Sequence, residues 1–265
     1  MIKLVVNADD YGIAENQTEA ILEAFRRGII TSTTVMVSMP DFQRSIRRAK
    51  EEGVFDRIGL HLNFTEGIPI TESLRECSRF CNSDGTFNTH FHNSKWCRFF
   101  LTPKEQRAVA LEAEAQMNVY IDAGFPLMHL DSHHHSHTDP SIARLILPIA
   151  KRLGFRSVRL SRNIPRPGYG LGKKLYKLAF NQLARRQGFK YTDYFGSCTD
   201  FDGAIATLPP DCAVELMVHP CFRTGREFDM SGKLMDMYEP MTSVEEILAK
   251  HHSKYHLVPY AEILQ

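Results

Sequence analysis

The 265-residue sequence lacks any apolar run long enough to cross a bilayer, which takes about 18 to 20 residues. It also lacks an excess of either charge, because 32 basic residues stand against 31 acidic ones. That balance removes the electrostatic reason for binding nucleic acid or an anionic membrane. The first residues, MIKLVVNADDYG, lead into a strand-like run and acidic residues, unlike a signal peptide. We therefore expect a cytoplasmic protein with no membrane span and no nucleic-acid partner.

Two common groups of cofactor motifs are also missing. No G-x-G-x-x-G and no P-loop follows the first strand-like run, which argues against a nucleotide-binding α/β fold. No C-x-x-C pair occurs, so neither a zinc ribbon nor a thioredoxin-type site is indicated. Scattered cysteines without a signal peptide are typical of reduced thiols. The six cysteines are Cys77, Cys81, Cys97, Cys198, Cys212 and Cys221.

The sequence does contain a regular alternation of short apolar runs and amphipathic stretches. Strands are predicted over 3–7, 32–39, 57–64, 127–131, 157–161, 191–197 and 213–220, and helices over 16–28, 41–53, 103–124, 140–154, 171–187 and 243–252. This alternation favours a parallel sheet covered by helices. About seven such units fit a closed or nearly closed (β/α) barrel, with a doubly wound open sheet as the alternative. We expect a single domain over 1–265, interrupted by a long inserted loop over 65–102.

Polar and ionisable residues recur where the predicted strands end, which is the edge that carries the active site in (β/α) barrels. One such residue is usually a helix cap, but a set shared by five strands indicates a site. Strand by strand, the set is Asn7, Asp9 and Asp10; His61 and Asn63; His129, Asp131 and His133; Arg159 and Arg162; and His219.

The residue types in this set indicate metal-assisted chemistry. Neutral imidazoles and a carboxylate are good ligands for a divalent metal ion, and three protein ligands leave room for water and substrate. Such an ion lowers the pKa of its water, a second carboxylate can accept the proton, and a histidine can protonate the leaving group. The residues that could fill these roles are Asp9, Asp10, His61, His133 and His219.

Five sequence blocks resemble the motifs of the YdjC-like carbohydrate deacetylases, which include chitooligosaccharide deacetylases. In order, they are VVNADDYG, TSTTVMV, IGLHLNFTEG, HLDSHHHSH and ELMVHP, and the resemblance covers practically the whole chain. It implies a distorted (β/α) barrel of the polysaccharide-deacetylase type. It also implies Asp9 as general base, His219 as general acid, and one divalent metal ion bound by Asp10, His61 and His133.

The rest of the histidine run over 129–137 has less defined roles. Asp131 is expected to orient a histidine rather than to bind the metal. His134 should be structural, because it points away from the face that carries His133. His137 lies in the following loop with His135, where these side chains could contact a sugar or be solvated.

Several residues outside that run also have candidate roles. Arg159 could pair with Asp9 and hold it ionised, or form a salt bridge elsewhere. Trp96 is the best candidate for stacking on a sugar ring, whereas most aromatic residues of the insertion should anchor it or form a subunit interface. His90 and His92 are expected on the surface. These other aromatic residues are Phe87, Phe91, Phe99 and Phe100.

These inferences predict a metal-dependent hydrolase that releases acetate from an N-acetylated sugar. A glycoside hydrolase is less consistent, because it needs two carboxylates flanking a glycosidic bond. A non-catalytic metal- or sugar-binding protein is the third alternative, and the base and acid candidates argue against it. The ligand types suit Zn²⁺, Co²⁺, Mn²⁺ or Ni²⁺, while Mg²⁺ stays open because descriptions of the family often name it. The sequence leaves the identity of the sugar, and a homo-oligomer such as a dimer, open.

Overall fold

A computed structural model of the chain describes residues 1–94, 96–165, 170–221 and 239–264. Strands and helices alternate along most of the sequence, as predicted. The strands are β1 (Ile2–Tyr11), β2 (Ser32–Val35), β3 (Ile58–Leu62), β4 (His129–Ser132), β5 (Ser157–Val158), β6 (Tyr194–Ser197), β7 (Ala213–Val218), β8 (Pro220–Cys221), β9 (Glu239–Pro240) and β10 (Tyr255–Leu257). The α-helices are α1 (Glu15–Arg26), α2 (Phe42–Glu51), α3 (Glu72–Arg75), α4 (His90–Asn93), α5 (Pro103–Asp122), α6 (Pro140–Arg152), α7 (Leu171–Arg186), α8 (Cys198–Ala204), α9 (Met241–Lys250) and α10 (Tyr260–Ile263).

The first seven strands form one curved parallel sheet in the order β5-β4-β3-β2-β1-β7-β6. β10 pairs with the start of β1, ahead of the residues that pair with β2. The two edge strands approach each other, because Ser157 forms a parallel bridge with Lys190 and the Asn163 N–H donates to the Phe195 carbonyl at 3.0 Å. The sheet is therefore a distorted barrel. This confirms the predicted fold class and excludes the open doubly wound alternative.

Burial on both faces explains why the strands read as continuous apolar runs. In β1, Leu4, Val5 and Val6 are all fully buried, since a barrel strand faces the interior on one side and helices on the other. The helices carry ordinary start signals. In α5, Thr102 and Glu105 form a capping box, and a proline occupies the first turn, so this helix begins where it was predicted.

The boundaries differ from the sequence-based expectation in three respects. β1 continues to Tyr11 instead of ending at residue 7, so Asp9 and Asp10 belong to the strand itself. β2 ends at Val35 and β5 at Val158, earlier than predicted. The elements α8, β10 and α10 were not predicted. They have seven, three and four residues, which is too short to show a helical or strand period.

The insertion over 65–102 is packed on the barrel and contains α3 and α4. Phe80 and Phe91 are fully buried and stack with their ring centroids 4.7 Å apart. Glu112 of α5 holds the start of the insertion, because its carboxylate accepts hydrogen bonds from the backbone N–H and the hydroxyl of Thr71 at 2.8 and 2.7 Å. The segment predicted as one long loop thus contains two short helices.

The aromatic residues predicted to anchor the insertion fall into two groups. Phe87 and Phe91 are buried, as expected of anchors, whereas Phe99 and Phe100 are exposed. The anchoring interpretation therefore holds for the first group only.

Two general features of the described ranges bear on the class of protein. No helix in them combines the length and the apolar character that a bilayer span requires. All six cysteines are buried, and none forms a disulfide within the part of the chain that the structure describes.

Candidate active site

Three barrel strands bring one carboxylate and two imidazoles together. Asp10 lies near the end of β1, His61 lies near the end of β3, and His133 directly follows β4. Each side chain offers one potential ligand atom, and these atoms lie within 4.8 Å of one another. All three residues are buried. The residues predicted as metal ligands thus meet at one point, and we refer to Asp10, His61 and His133 as the triad.

The atoms of the triad lie close enough together to hold one divalent cation. His133 donates from Nδ1 to Asp10 Oδ1 at 2.8 Å, and His61 Nε2 lies 3.2 Å from the same oxygen. Asp10 Oδ2 and His133 Nε2 are buried and make no hydrogen bond. Buried polar atoms without a partner are rare in folded proteins, so each calls for an explanation. A cation bound by the triad would account for both atoms.

Asp131 fixes the orientation of His61. The Nδ1–H of His61 donates to Asp131 Oδ1 at 2.6 Å, which leaves Nε2 facing Asp10. A carboxylate behind a ligating histidine sets its tautomer and ring direction, which is the role expected of Asp131. Burial by itself would lower the pKa of His61, but Asp131 and Asp10 outweigh it and raise the pKa to about 10. The cluster therefore favours a positive charge at this position, which a metal ion would supply.

Asp9 is held by a cation and an amide. Arg159 donates from Nη1 and Nη2 to the two carboxylate oxygens at 2.6 and 2.7 Å, and Asn7 donates from Nδ2 to Oδ1 at 2.9 Å. Of the two alternatives left open for Arg159, the structure shows the pairing with Asp9. A bidentate guanidinium fixes the plane of the carboxylate. Although Asp9 and Asp10 are neighbours in sequence, they bind different partners.

Arg159 is fully buried and contacts three carboxylates at once. Besides its contact with Asp9, Nη1 lies 2.7 Å from Asp131 Oδ2, and Nε donates to Glu215 Oε1 at 2.6 Å. Burial opposes the charge on Arg159, yet Asp131, Asp9 and Glu215 hold its pKa well above the usual value. Arg159 therefore stays charged and links Asp9 to the carboxylate that orients His61.

Two further groups of potential ligand atoms lie deeper in the barrel. Arg159 contacts both carboxylates of each group. Its positive charge therefore disfavours a metal ion in either place. The triad is the best candidate for a metal site among the described residues. The two other groups are Asp9 with His61 and Asp131, and His129 with Asp131 and Glu215.

His219, the predicted general acid, lies beside the triad. Its Nε2 is 3.8 Å from Asp10 Oδ2. It follows β7, which pairs directly with β1 through Ala8 and Val218, and this pairing places it next to the acidic pair. Burial lowers the pKa of His219, although Asp10 and Asp9 act in the opposite direction.

The residues after His133 turn sharply away from the direction of β4. His134 and His135 have φ angles of 53° and 56°, in the left-handed region that residues other than glycine seldom adopt. The ring centroid of His134 lies 4.1 Å from that of His133, and its Nδ1 lies 3.0 Å from Thr65 Oγ1. Strained backbone of this kind is concentrated at functional sites. Here it packs His134 between the triad and the start of the insertion.

His137 lies behind the site, contrary to one of the sequence-based expectations. Its Nε2–H donates to the carbonyl of Arg159 at 3.0 Å, and its Nδ1 lies 2.7 Å from the hydroxyl of Ser132. Burial lowers its pKa to about 4. Because the protein engages both ring nitrogens, the expectation that His137 is solvated or contacts a sugar is wrong. It instead connects the end of β4 to the backbone of Arg159.

One further expectation also needs correction. His92, predicted on the surface, is half-buried with its ring centroid 4.6 Å from that of His134, because the insertion folds back over the histidine run. Arg162, predicted among the strand-end residues, lies 3.5 Å from Asp200. Trp96 is 76% exposed, and its stacking on a sugar stays a prediction.

Two buried residues near Arg159 were not anticipated from the sequence. The Tyr260 hydroxyl donates to Glu215 Oε2. Burial raises the pKa of Glu215 to about 7, against the effect of Arg159. The signal for Glu215 was present, because it is the one charged residue in the apolar strand sequence AVELMV. Tyr260 lies in the short helix α10 and has no comparable signal.

The sequence is similar to several proteins named carbohydrate deacetylase. A carbohydrate deacetylase from Vibrio parahaemolyticus is 36% identical over 263 residues, which cover 94% of this chain and 92% of the relative. One from Brevibacillus brevis is 28% identical over 271 residues, covering 99% of this chain and 100% of the relative. For one from Vibrio cholerae, 36% identity extends over 151 residues, so the match covers only 56% of that protein, a little over half its length.

The fold also has a counterpart among solved structures, and the family can be named. A protein from Enterococcus faecalis, described as a cellobiose-phosphate cleavage protein, has a TM-score of 0.72 over 99% of this chain and 98% of that one, at 20% identity. Identity this low shows a shared fold alone. A sequence profile of the YdjC-like protein family matches residues 3–251. Together with the Vibrio parahaemolyticus relative, this match shows that the chain belongs to the YdjC-like family.

Proposed function

We propose that this protein is a metal-dependent carbohydrate deacetylase, which hydrolyses the N-acetyl group of an amino sugar and releases acetate. The observation that carries the proposal is the buried triad with Asp9 and His219 beside it. A metal-storage site would need the triad alone, whereas amide hydrolysis also needs a proton acceptor and a proton donor. The name shared by the full-length relatives, carbohydrate deacetylase, supports the same reaction.

The triad would hold one divalent metal ion. Two imidazoles and one carboxylate suit Zn²⁺, Co²⁺, Mn²⁺ or Ni²⁺, while Mg²⁺ prefers oxygen ligands and is the less suited alternative. When bound, such an ion polarises the acetyl carbonyl and lowers the pKa of water. Asp131 would keep the Nε2 atom of His61 directed at the ion.

Asp9 would accept the proton of the attacking water. Arg159 donates a hydrogen bond to each carboxylate oxygen of Asp9, which keeps this proton acceptor in one position. Oδ1 of Asp9 accepts hydrogen bonds from both Asn7 and Arg159, whereas Oδ2 accepts one from Arg159. A carboxylate oxygen can accept two hydrogen bonds, so Oδ2 keeps a lone pair for the proton.

His219 would donate a proton to the departing amine nitrogen. An amine leaves an acyl centre far more readily as the neutral molecule than as an anion, so this proton has to arrive as the C–N bond breaks. The position of His219, 3.8 Å from Asp10, places it next to any group bound at the triad. The products are acetate and a free amino sugar.

The geometry gives less support to a glycoside hydrolase. That reaction needs a carboxyl group that stays protonated until it reaches the glycosidic oxygen. Burial alone would raise the pKa of Asp10, but His133 and His61 hold it well below its usual range. Asp10 therefore does not suit the role of a protonated acid.

Acetate release from defined sugars tests the proposal. We expect the purified protein to release acetate and a primary amine from N-acetylated oligosaccharides of the chitooligosaccharide type, to stop after chelation, and to recover when metal is added. A glycoside hydrolase would release new reducing ends instead, and a binding protein would release neither product. Absence of acetate across mono-, di- and trisaccharides with every metal named above would reject the proposal.

The triad makes a direct prediction about metal content. His61→Ala and His133→Ala each remove one of three protein ligands, so both variants should lose the bound metal and the acetate-releasing activity. Elemental analysis after dialysis measures the metal, and His252→Ala, an exposed histidine, is the matched control. Full metal occupancy in both variants would remove these residues from the ligand set.

The contact between the insertion and the histidine run predicts a role for His92 in sugar binding. Its ring packs on His134, and its Nδ1 is buried without a hydrogen-bond partner, so it can bond a sugar hydroxyl. Loss of one hydrogen bond of about 0.5 to 1.5 kcal/mol should raise KM roughly 2- to 10-fold in His92→Ala, with kcat little changed. The control is His90→Ala, an exposed histidine on the same short helix. Equal KM values for both variants and the wild type would contradict this role.

A further inference from the structure

A continuous chain of buried contacts connects the C-terminal helix to Asp9. The hydroxyl of Tyr260 in α10 donates to Glu215 Oε2. Glu215 Oε1 accepts a hydrogen bond from Arg159 Nε at 2.6 Å. The other two nitrogens of Arg159 donate hydrogen bonds to Asp9. Tyr260, Glu215 and Arg159 are each 1% exposed or less. This series of contacts therefore crosses the barrel interior through side chains that are shielded from solvent.

We propose that Glu215 is a positioning residue for the deacetylase reaction, acting through Arg159 on Asp9, and that Tyr260 fixes Glu215. This proposal rests on the proposed function, because it concerns the same general base. The three contacts of Arg159 use Nε, Nη1 and Nη2, and a guanidinium is planar and rigid. The bond from Nε to Glu215 thus sets the direction in which Nη1 and Nη2 meet Asp9.

Charge makes this arrangement sensitive to Glu215. Among the described residues of the cluster, Arg159 is the one arginine or lysine side chain in contact with Asp9, Asp131 and Glu215. If Glu215 no longer attracted Nε, the guanidinium could turn towards Asp131, and its two bonds to Asp9 would lose their alignment. A base displaced by a fraction of an ångström loses much of its effect, because proton transfer depends on distance and direction.

Tyr260 holds the other side of Glu215. Its ring stacks on His129 with centroids 3.9 Å apart, and His129 Nδ1 lies 2.7 Å from Ser157 Oγ. Tyr260 also belongs to a small apolar cluster with Val5, Leu127 and Val258, apart from the main core. Each of these contacts limits the movement of the ring. Tyr260 can therefore act as a fixed support for Glu215.

Two conservative substitutions test the proposal, each with a matched control. Glu215→Gln replaces the carboxyl group with an amide of the same shape, and Tyr260→Phe removes only the hydroxyl. Glu112→Gln and Tyr120→Phe make the same changes at fully buried positions whose hydrogen bonds lie outside this chain of contacts. We expect kcat to fall about 10- to 100-fold in Glu215→Gln and in Tyr260→Phe, with KM and bound metal unchanged. The controls should lose thermal stability and keep their kcat.

Several outcomes would overturn the proposal. Unchanged kcat in Glu215→Gln and Tyr260→Phe would do so, and so would a fall that follows metal loss or matches the fall in the controls. If Glu215→Gln does not fold, Tyr260→Phe decides the matter, because it removes a single oxygen atom. If the wild-type protein releases no acetate, the proposed function fails separately. The positioning claim is then decided by the NMR signal of the Arg159 Nε–H, which should shift in both variants and stay fixed in both controls.

Discussion

Asp9→Asn should lower kcat by about 100- to 10,000-fold, the usual range for a general acid–base catalyst, while the metal stays bound. The carboxamide has nearly the shape of the carboxylate, but it cannot accept the proton of the attacking water. Asp9 is not a member of the triad, so its replacement removes no ligand from the proposed metal. The loss should therefore appear in turnover, with metal content close to the wild-type value.

Asp10→Asn is the matched comparison, because the same chemical change is made one residue further on. Asp10 Oδ1 lies within 3.2 Å of nitrogens from both His61 and His133, and its pKa is held well below the usual range. An amide is a poorer ligand than a carboxylate for a divalent ion, so this variant should bind metal more weakly. Added metal should restore part of its activity and should not restore that of Asp9→Asn.

Metal titrations followed by steady-state rates separate the two variants. Equal metal loss in both would show that Asp9 is also a ligand. Normal metal affinity in both would show that Asp10 is not one. Either result would reject the division of roles between the two adjacent carboxylates.

A strand directs successive side chains to different sides, so different partners for Asp9 and Asp10 could be predicted from the sequence, whereas their roles as base and ligand are what the resemblance to the YdjC-like deacetylases implies. The structure adds that Asp10 has a φ of 70°, in the left-handed region, which changes the direction of its side chain further. The predicted ligands could be found because they share one edge of a parallel sheet. The contact between His61 and Asp131 follows from the pairing of these two residues across β3 and β4.

The features that escaped prediction depend on contacts between distant parts of the chain. Glu215 meets Arg159, which lies 56 residues away, across the barrel interior. No local pattern carries that information, and a charged residue in a strand is often an exposed one. The position of His92 depends on the path of the insertion, which buried residues such as Phe91 determine. Sequence periodicity identifies the elements, but not how an irregular segment folds back on them.

His219→Ala is the second variant with a large expected effect. Removing a general acid should lower kcat about 100- to 10,000-fold for an ordinary N-acetyl sugar, because the amine must leave without a ready proton. Metal content should stay near the wild-type value, since His219 is outside the triad. An activated amide or ester, whose leaving group needs less protonation, should lose much less rate. The ratio of the two losses measures how far His219 acts as a proton donor.

The pH dependence gives an independent measurement of the same role. The wild-type rate should be bell-shaped, because Asp9 must be ionised and His219 must be protonated, and the limbs report the coupled site. Burial lowers the pKa of His219, so the protonated form is lost as pH rises through a value below the ordinary imidazole pKa of about 6.5. The alkaline limb should therefore lie at lower pH than for an exposed histidine, and it should disappear in His219→Ala.

A different pattern would assign His219 another role. If His219→Ala slows activated and ordinary substrates equally while the metal stays bound, the side chain stabilises the substrate or the oxyanion. The proton would then have to come from another group, and His137 is a poor substitute because Arg159 and Ser132 engage both of its nitrogens. His134 would be the next residue to replace, since its ring packs against His133 of the triad.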